Sequence, residues 1–437
     1  MSFGFSEDSI LTFSMRLSEL PTPALIVDKD VMERNAQSML ARARSLNLAF
    51  RPNIKTHKCA EFAEMQHTGM LALPNQSGGA DRSAMRVCTS TLLETRFFLE
   101  QGFGDVLYAV PLAGTKVDQI ARELVLKYGP RVSFLVDSEE GVAALPQLSL
   151  PWQVFVKVDC GYGRAGRAGE ALRKVVDAVQ NAEARVRLRG MYTHAGHSYH
   201  TGPGVPPLEQ QAAAEARAMV SVKKNDLIVS VGATPTASRP ASKEEYRHVD
   251  EIHPGNYVFY DAMQIQIGSC QVNDAACRYE KVHVFFFFFF NLKLNASVLT
   301  TVIGVYPERG TALCDAGSRA LGKDALELPS KSPWGIVIGR ENINLVRISQ
   351  EVGILDGEGV KDLRVGDVLR IIPNHSCKKR KEKNHFYYYY YYYYYCFLLQ
   401  RLARSDCNKF FNLPRCDGRP SLWSLHTCAK RIRINLN

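Results

Sequence analysis

Six short stretches carry residue types that can do chemistry, and each reads as a strand that stops at a turn. "RPNIKTHK" (51–58) sets Lys55 and Lys58 around a histidine, just after an apolar, extended segment. "VDCGYGRAG" (158–166) ends a strand-like run in a glycine-rich turn that carries Arg164, and "MYTHAGHSYH" (191–200) gathers Tyr192, His194 and Tyr199 at another strand end. "SVGATPT" (230–236) and "HPGNY" (253–257) are turns whose glycines expose backbone N–H groups, a surface suited to a phosphate. "PNHSC" (373–377) places His375 and Cys377 two apart, so that on a strand both side chains point the same way. Thiolate with imidazole suits Zn2+ better than harder cations. A lysine partly withdrawn from water has a depressed pKa and can form a Schiff base. Against these stand plainer readings: a loop lysine is more often a surface charge, a single histidine more often structural, and a bare His-x-Cys pair more often an ordinary turn. Spacing by itself does not choose between Lys55 and Lys58.

The elements that would position these residues alternate regularly. "TPALIVD" (22–28) reads as a strand, and Asp28 or Asp30 can cap a helix in which Val31, Met39, Leu40, Ala43 and Leu46 recur near helical spacing. "LAFRPNIK" is a second short strand before the helix begun by "CAEFAEMQ". Then "GDVLYAV", "VSFLVD", "WQVFVKVD", "VRLRGMYTHAG" and "DLIVSVG" are strands separated by helical stretches such as "GTKVDQIARELVLKY", "GEALRKVVDAVQNA" and "QQAAAEARAMVSVKK". Units in this rhythm imply a parallel sheet, and six or more in a row favour a (β/α)8 TIM-like barrel over an open sheet. In such a barrel, side chains at the C-terminal strand ends meet in the mouth where catalysis happens. Past about residue 270 the pattern turns β-rich, with Gly and Pro turns. The expected organisation is therefore an N-terminal segment, 1–29, joining a β domain; a barrel, 30–270; a mostly β domain, 271–377, with the metal pair; and a tail, 378–437.

A chain of 437 residues with 46% hydrophobic residues can bury more than one core. The net charge of +10 does not point to nucleic acid, because residues 378–437 hold 13 Lys and Arg against 3 Asp and Glu, the whole of that excess. The 11 cysteines include no C-x-x-C pair, which favours reduced thiols. The N-terminus lacks a basic region followed by an apolar core, and no apolar run approaches the roughly 20 residues of a membrane span. A cytoplasmic protein with no membrane or nucleic-acid partner is expected. Six consecutive phenylalanines lie within 280–296, and nine tyrosines follow "PNHSC". Neither run has packing logic: a strand would put the rings on both faces, and an exposed run would aggregate. Both are read as translated non-coding sequence, with the turn-rich 68–83 as a milder case. Peptides spanning the runs in mass spectrometry of the native protein would overturn that reading.

Together, "PTPALIVD", "RPNIKTHK", "VDCGYGRAG", "YTHAGHSY", "SVGATPT", "HPGNYVFYD", "GVYPERG", "CDAGSRALGKD" and "PNHSC" resemble the eukaryotic D-serine dehydratases, relatives of D-threonine aldolase and alanine racemase among fold type III pyridoxal-phosphate enzymes. The motifs cover most of residues 20–377. The resemblance implies that Lys55, the first lysine of K-T-H-K, carries pyridoxal 5'-phosphate and takes the α-proton. It implies that Gly232, Ala233 and Thr234, with Gly255 and Asn256, hold the cofactor phosphate. Tyr192, His194, Tyr199 and Tyr257 would line the pocket, with Arg164 near the cofactor ring. His253 stands where alanine racemase has an arginine, which the resemblance links to elimination rather than racemisation. His375 and Cys377 would hold Zn2+ at the substrate hydroxyl, whereas the aldolase branch has an Asp in place of the Cys. The implied reaction is zinc-assisted dehydration and deamination of D-serine to pyruvate and ammonia by a homodimer. Three other readings remain: a D-threonine aldolase-like lyase of D-3-hydroxyamino acids, a non-catalytic pyridoxal-phosphate carrier, and an inactive cofactor-binding product. The last is suggested because the family's segment after "PNHSC" is replaced here, and because Val352 stands where the family has a histidine.

Overall fold

The computed structural model describes residues 20–71, 81–112, 117, 119–200, 202–220, 226–271, 297–324 and 331–376. The expectations placed on 280–296, on Cys377 and on the tail lie outside the described residues. Strand β1 (Ala24–Ile26) leads into helix α1 (Lys29–Ser45), which starts at Asp28 because its carboxylate accepts from Val31 N at 3.0 Å. One stripe of α1, from Val31 to Ala43, is buried and fixes the helix against the barrel.

Eight parallel strands follow: β2 (Ala49–Phe50), β3 (Arg86–Thr89), β4 (Asp105–Pro111), β5 (Val132–Val136), β6 (Trp152–Lys157), β7 (Val186–Tyr192), β8 (Ile228–Val231) and β9 (Glu251–Ile252). Their order is β2-β9-β8-β7-β6-β5-β4-β3. A parallel bridge between Asn53 and Cys88, with Cys88 N donating to Pro52 O at 2.9 Å, closes the ring. The (β/α)8 barrel expected from the strand–helix rhythm is thus present. Strands β5 and β6 are buried at every position and are mostly apolar, interrupted only by Ser133, Gln153 and Lys157, because helices cover the outside while side chains fill the inside. At the end of the barrel where strands begin, fully buried Arg51 donates to Glu251 at 2.6 Å and, with two nitrogens, to Asp105 at 2.8 and 2.9 Å. Arg86 joins Glu251 at 3.0 Å and Arg189 joins Asp105 at 3.2 Å, so this end is plugged by mutually neutralising charges.

The second sheet is antiparallel. It comprises β10 (Ser297–Tyr306), β11 (Thr311–Cys314), β12 (Gly335–Val337), β13 (Asn344–Ile348), β14 (Gly353–Asp356) and β15 (Val368–Pro373), in the order β12-β15-β10-β11-β14-β13. Strand β1 adds to β10, Ala24 opposite Leu299, and Thr22 Oγ1 lies 2.7 Å from Thr301 Oγ1 across 279 residues of chain. Val302, Leu345, Leu355 and Ile371 form the centre of its own apolar core. Among the described residues, no helix is long and apolar enough to cross a membrane.

Two local expectations change. The strand expected through Lys55 ends at Phe50, and Ile54–Thr56 is instead a 3-10 turn. Pro52 brings no N–H to continue a ladder, and the Asn53 side chain accepts from Lys55 N at 3.1 Å, which favours the turn. Likewise β15 ends at Pro373, so His375 stands beyond the strand and the alternation argument does not apply to it. The Asn374 side chain donates to Asp324 O at 2.7 Å and to Pro333 O at 2.6 Å, drawing the chain off the sheet.

Candidate active site at the barrel mouth

Lys55 reaches the mouth from the 3-10 turn after β2 and is half-buried. Among the described residues no carboxylate lies within ion-pair distance of it, whereas Lys58 pairs with Glu94 at 2.7 Å. The two lysines that spacing could not separate therefore differ in surroundings: the Lys58 amine is neutralised by Glu94, while the Lys55 charge acts on His194. The histidine between them is structural. His57 is buried; its Nε2 lies 2.9 Å from Gln66 Oε1 and its Nδ1 accepts from Cys59 N at 3.1 Å. Burial holds its pKa at about 4, against hydrogen bonds that pull it up, so the ring is neutral with Nε2–H donating to Gln66.

That burial bears on stability. The unfolded ring takes a proton as pH falls below about 6.5, while the folded ring resists until about 4. The stability is therefore intact above pH 6.5 and is lost as pH drops through the interval to 4, by up to about 3 kcal/mol. Urea midpoints across this range should fall more steeply in the parent protein than in His57→Gln; equal slopes would remove His57 as the cause.

At the end of β7, Tyr192 is buried and stacks flat on His253, ring centroids 4.0 Å apart and planes 11° from parallel. His253 is fixed by Ser230 Oγ, 2.8 Å from its Nδ1. His194 lies beside Gly232, its Nδ1 3.2 Å from the carbonyl oxygen. Burial first, then the charges of Lys157, Lys55 and Arg164, hold His194 well below the usual histidine range. Its ring is therefore neutral, with Nδ1–H donating to Gly232 and a lone pair left on Nε2. Arg164 is exposed at the rim, its guanidinium 4.9 Å from the Tyr162 ring centre. Tyr162 packs so tightly on Gly196 that a Cβ there would come within 2.1 Å of the tyrosine ring.

The two glycine turns meet. Gly232 has φ 128°, and a Cβ on it would press on His253 N at 3.2 Å. A Cβ on Gly255 would strike Asn53 O at 2.5 Å, so the turn before Asn256 can approach the Lys55 loop only without a side chain. Thr234 Oγ1 accepts from Tyr257 N at 3.2 Å and ties the turns together. Helix α8 (Thr234–Ser238) starts between them, and the amides of a first helical turn lack acceptors within the helix. Small residues, close backbones and nearby cations fit a phosphorylated cofactor. Tyr257 contributes only its backbone here; its ring is fully buried in the barrel core, edge-on to Phe50.

His375 arrives from the β domain. Its Nδ1 lies 3.2 Å from Asp261 Oδ2, and the Tyr199 ring stands edge-on to it at 6.3 Å. Asp261 also accepts from Ser376 N at 2.9 Å and from Asn256 Nδ2 at 2.6 Å. Burial pushes this carboxyl up, but the His375, Ser376 and Asn256 contacts outweigh it and leave Asp261 below the ordinary aspartate range. An imidazole held through Nδ1 by a carboxylate presents Nε2 to a metal, the arrangement zinc-binding histidines usually show. That donor chemistry fits Zn2+. Among the described residues no three or more His, Cys, Asp or Glu form a metal-sized cluster.

Three residues at this site were not singled out from the sequence. Lys157, the last residue of β6, is buried, 4.5 Å from the Tyr192 ring centre; burial first, then the Arg164 charge, lowers its pKa to about 8. Its place before the glycine-rich "VDCGYG" was the available signal. Glu215 in helix α7 (Leu208–Ala218) accepts from Ala195 N at 2.9 Å, Gly232 N at 3.0 Å and Thr236 Oγ1 at 2.8 Å, joining the β7 and β8 turns. Nothing in the Ala-rich helix marked it. Asp261 closes "HPGNYVFYD", so it sat inside a motif without being given a role.

Residues 78–262 match the alanine racemase N-terminal domain, and 295–389 match the putative serine dehydratase domain. D-serine dehydratase of Dictyostelium discoideum is 33% identical, covering 83% of this chain and 91% of its own; that of Schizosaccharomyces pombe is 30% identical, covering 83% and 86%. The chain belongs to the D-serine dehydratase family. A solved D-threo-3-hydroxyaspartate dehydratase from Delftia sp. HT23 resembles this family member at TM-score 0.66 and 27% identity, over 83% of this chain and 93% of that one. A cysteine-to-alanine mutant of D-threo-3-hydroxyaspartate dehydratase, in the metal-free form, gives the same TM-score and identity over 84% and 93%.

Proposed function

We propose that the chain is a pyridoxal-phosphate- and zinc-dependent D-serine ammonia-lyase that yields pyruvate and ammonia. The observation that carries the reading is the meeting of half-buried Lys55, the paired glycine turns and Asp261-held His375 at one barrel mouth. The family's named dehydratases support D-serine as the substrate.

Lys55 Nζ is the attachment point for the cofactor and the group that then holds the α-proton of D-serine. The backbone of Gly232–Thr234 and Gly255–Asn256 holds the phosphate, and Arg164 and Lys157 add positive charge around an anionic ligand. Tyr192 on His253 provides a flat wall. Bound pyridoxal phosphate would supply the electron sink that makes the α-proton removable. His375 and Cys377 would hold Zn2+, which would supply Lewis acidity to the departing hydroxyl. Tyr199 keeps water from one side of His375. A homodimer, as the family resemblance implies, belongs to the same reading, together with the cytoplasmic location expected from the sequence.

A second reading is a lyase for another D-3-hydroxyamino acid, favoured by the likeness to the Delftia dehydratase. Product analysis separates the options. Pyruvate and ammonia from D-serine, abolished by chelation and restored by Zn2+, are expected. Glycine and an aldehyde from D-threonine with no pyruvate from D-serine would replace the dehydratase with an aldolase. Neither product, from a chain that binds the cofactor, would mark the inactive form.

A further inference from the structure

The contacts around Asp261 do more than steady one histidine. Oxygen Oδ2 of this single carboxylate is shared by His375 Nδ1 at 3.2 Å, Ser376 N at 2.9 Å, Ser376 Oγ at 3.3 Å and Asn256 Nδ2 at 2.6 Å. Asn256 Nδ2 also donates to Ser376 Oγ at 3.0 Å, which completes a triangle. Oδ1 is engaged elsewhere, accepting from Gln264 N at 3.0 Å and capping helix α9 (Ala262–Gln266). Helix α9 then receives the β domain directly, Met263 N donating to Asn374 O at 3.1 Å. The residue before Asp261 is Tyr260 at φ 49°, a left-handed conformation uncommon for a bulky side chain.

The assembly joins Asn256, in the turn proposed to face the cofactor, through Asp261 at the start of α9 to the segment that carries His375. Asn256 is the residue after Gly255 in the phosphate turn, and its side chain points away from the pocket, into Asp261. Fixing the Asn256 backbone therefore fixes the donor that shares Oδ2 with His375. Resting on the reading above, we propose that Asp261 positions His375 for metal and that the Asn256–Asp261–His375 connection makes metal affinity depend on cofactor occupancy. Coupling of this kind is reciprocal: zinc must strengthen cofactor binding by the same factor.

The test uses the full chain, loaded with pyridoxal phosphate or stripped of it, and reads the Zn2+ dissociation constant by competition with a chromophoric chelator. Affinity in the parent protein should be higher with cofactor by about 5-fold or more. Asp261→Asn keeps the volume and an Oδ1 that can cap α9, but presents an NH2 group to His375 and Ser376. It should weaken zinc binding by about 10–100-fold in the loaded protein and erase the dependence on cofactor. Asn256→Ala leaves the Asp261–His375 contact in place and should lose the dependence while keeping most of the affinity. Asp261→Asn with parent-like affinity and dependence, while His375→Ala loses zinc, would overturn the inference and leave the zinc reading standing. Zinc bound equally by His375→Ala would overturn that reading itself. Where Asp261→Asn does not fold, the parent protein decides: equal zinc affinity with and without cofactor overturns the coupling.

Discussion

Lys55→Ala should lower pyruvate release from D-serine by about three orders of magnitude or more, since on the proposed reading it removes both the cofactor's attachment point and the base for the α-proton. The visible absorption band that the parent shows with pyridoxal phosphate should disappear with it. Lys58→Ala is the matched control. Lys58 spends its charge on Glu94 at 2.7 Å, a partly exposed pair worth at most about 1 kcal/mol. Its loss should leave the band in place and turnover within a few-fold. A band and turnover that survive Lys55→Ala but vanish in Lys58→Ala would reverse the assignment.

Cys377→Asp tests the leaving-group side. The thiolate is the soft donor that distinguishes this pair, and a carboxylate lowers the preference for Zn2+ over harder cations. With His375 still oriented by Asp261, the substitution should cut zinc content and reduce dehydration at least about a hundredfold. His375→Ala should act in the same direction. Unchanged zinc and unchanged pyruvate release in Cys377→Asp would refute the metal's part in elimination, while leaving Lys55 and the cofactor untouched.

Much of this architecture is written in periodicity. The buried strands Val132–Val136 and Trp152–Lys157 are largely apolar runs, each followed by a turn or a helix, and the β-rich change past residue 270 coincides with a second sheet. What periodicity does not carry is side-chain direction beyond a strand end. Pro52 and the Asn53 side chain turn the chain before Lys55, and Asn374 draws it off the sheet before His375, so both positions read as strand though they lie beyond one. Tyr257 looks like a pocket residue because its turn is in the pocket, yet its ring packs into the core. Glu215 and Asp261 escape notice because their partners, Gly232 and His375, lie far along the chain. Long-range hydrogen bonds leave no local pattern in a sequence.

The pairing of β1 with β10 has a consequence for synthesis. Thr22 and Thr301 touch across 279 residues, with the whole barrel between them. At translation rates of roughly 5–20 residues per second, the first strand waits on the order of tens of seconds for its partner to leave the ribosome. During that time β1 has no partner strand and remains an open edge. The β domain is thus the last part that a nascent chain can finish, and the two residues proposed to hold zinc, His375 and Cys377, are sequence-distal even to β10. On the proposed reading, the residues for the cofactor are all synthesised before those for the metal.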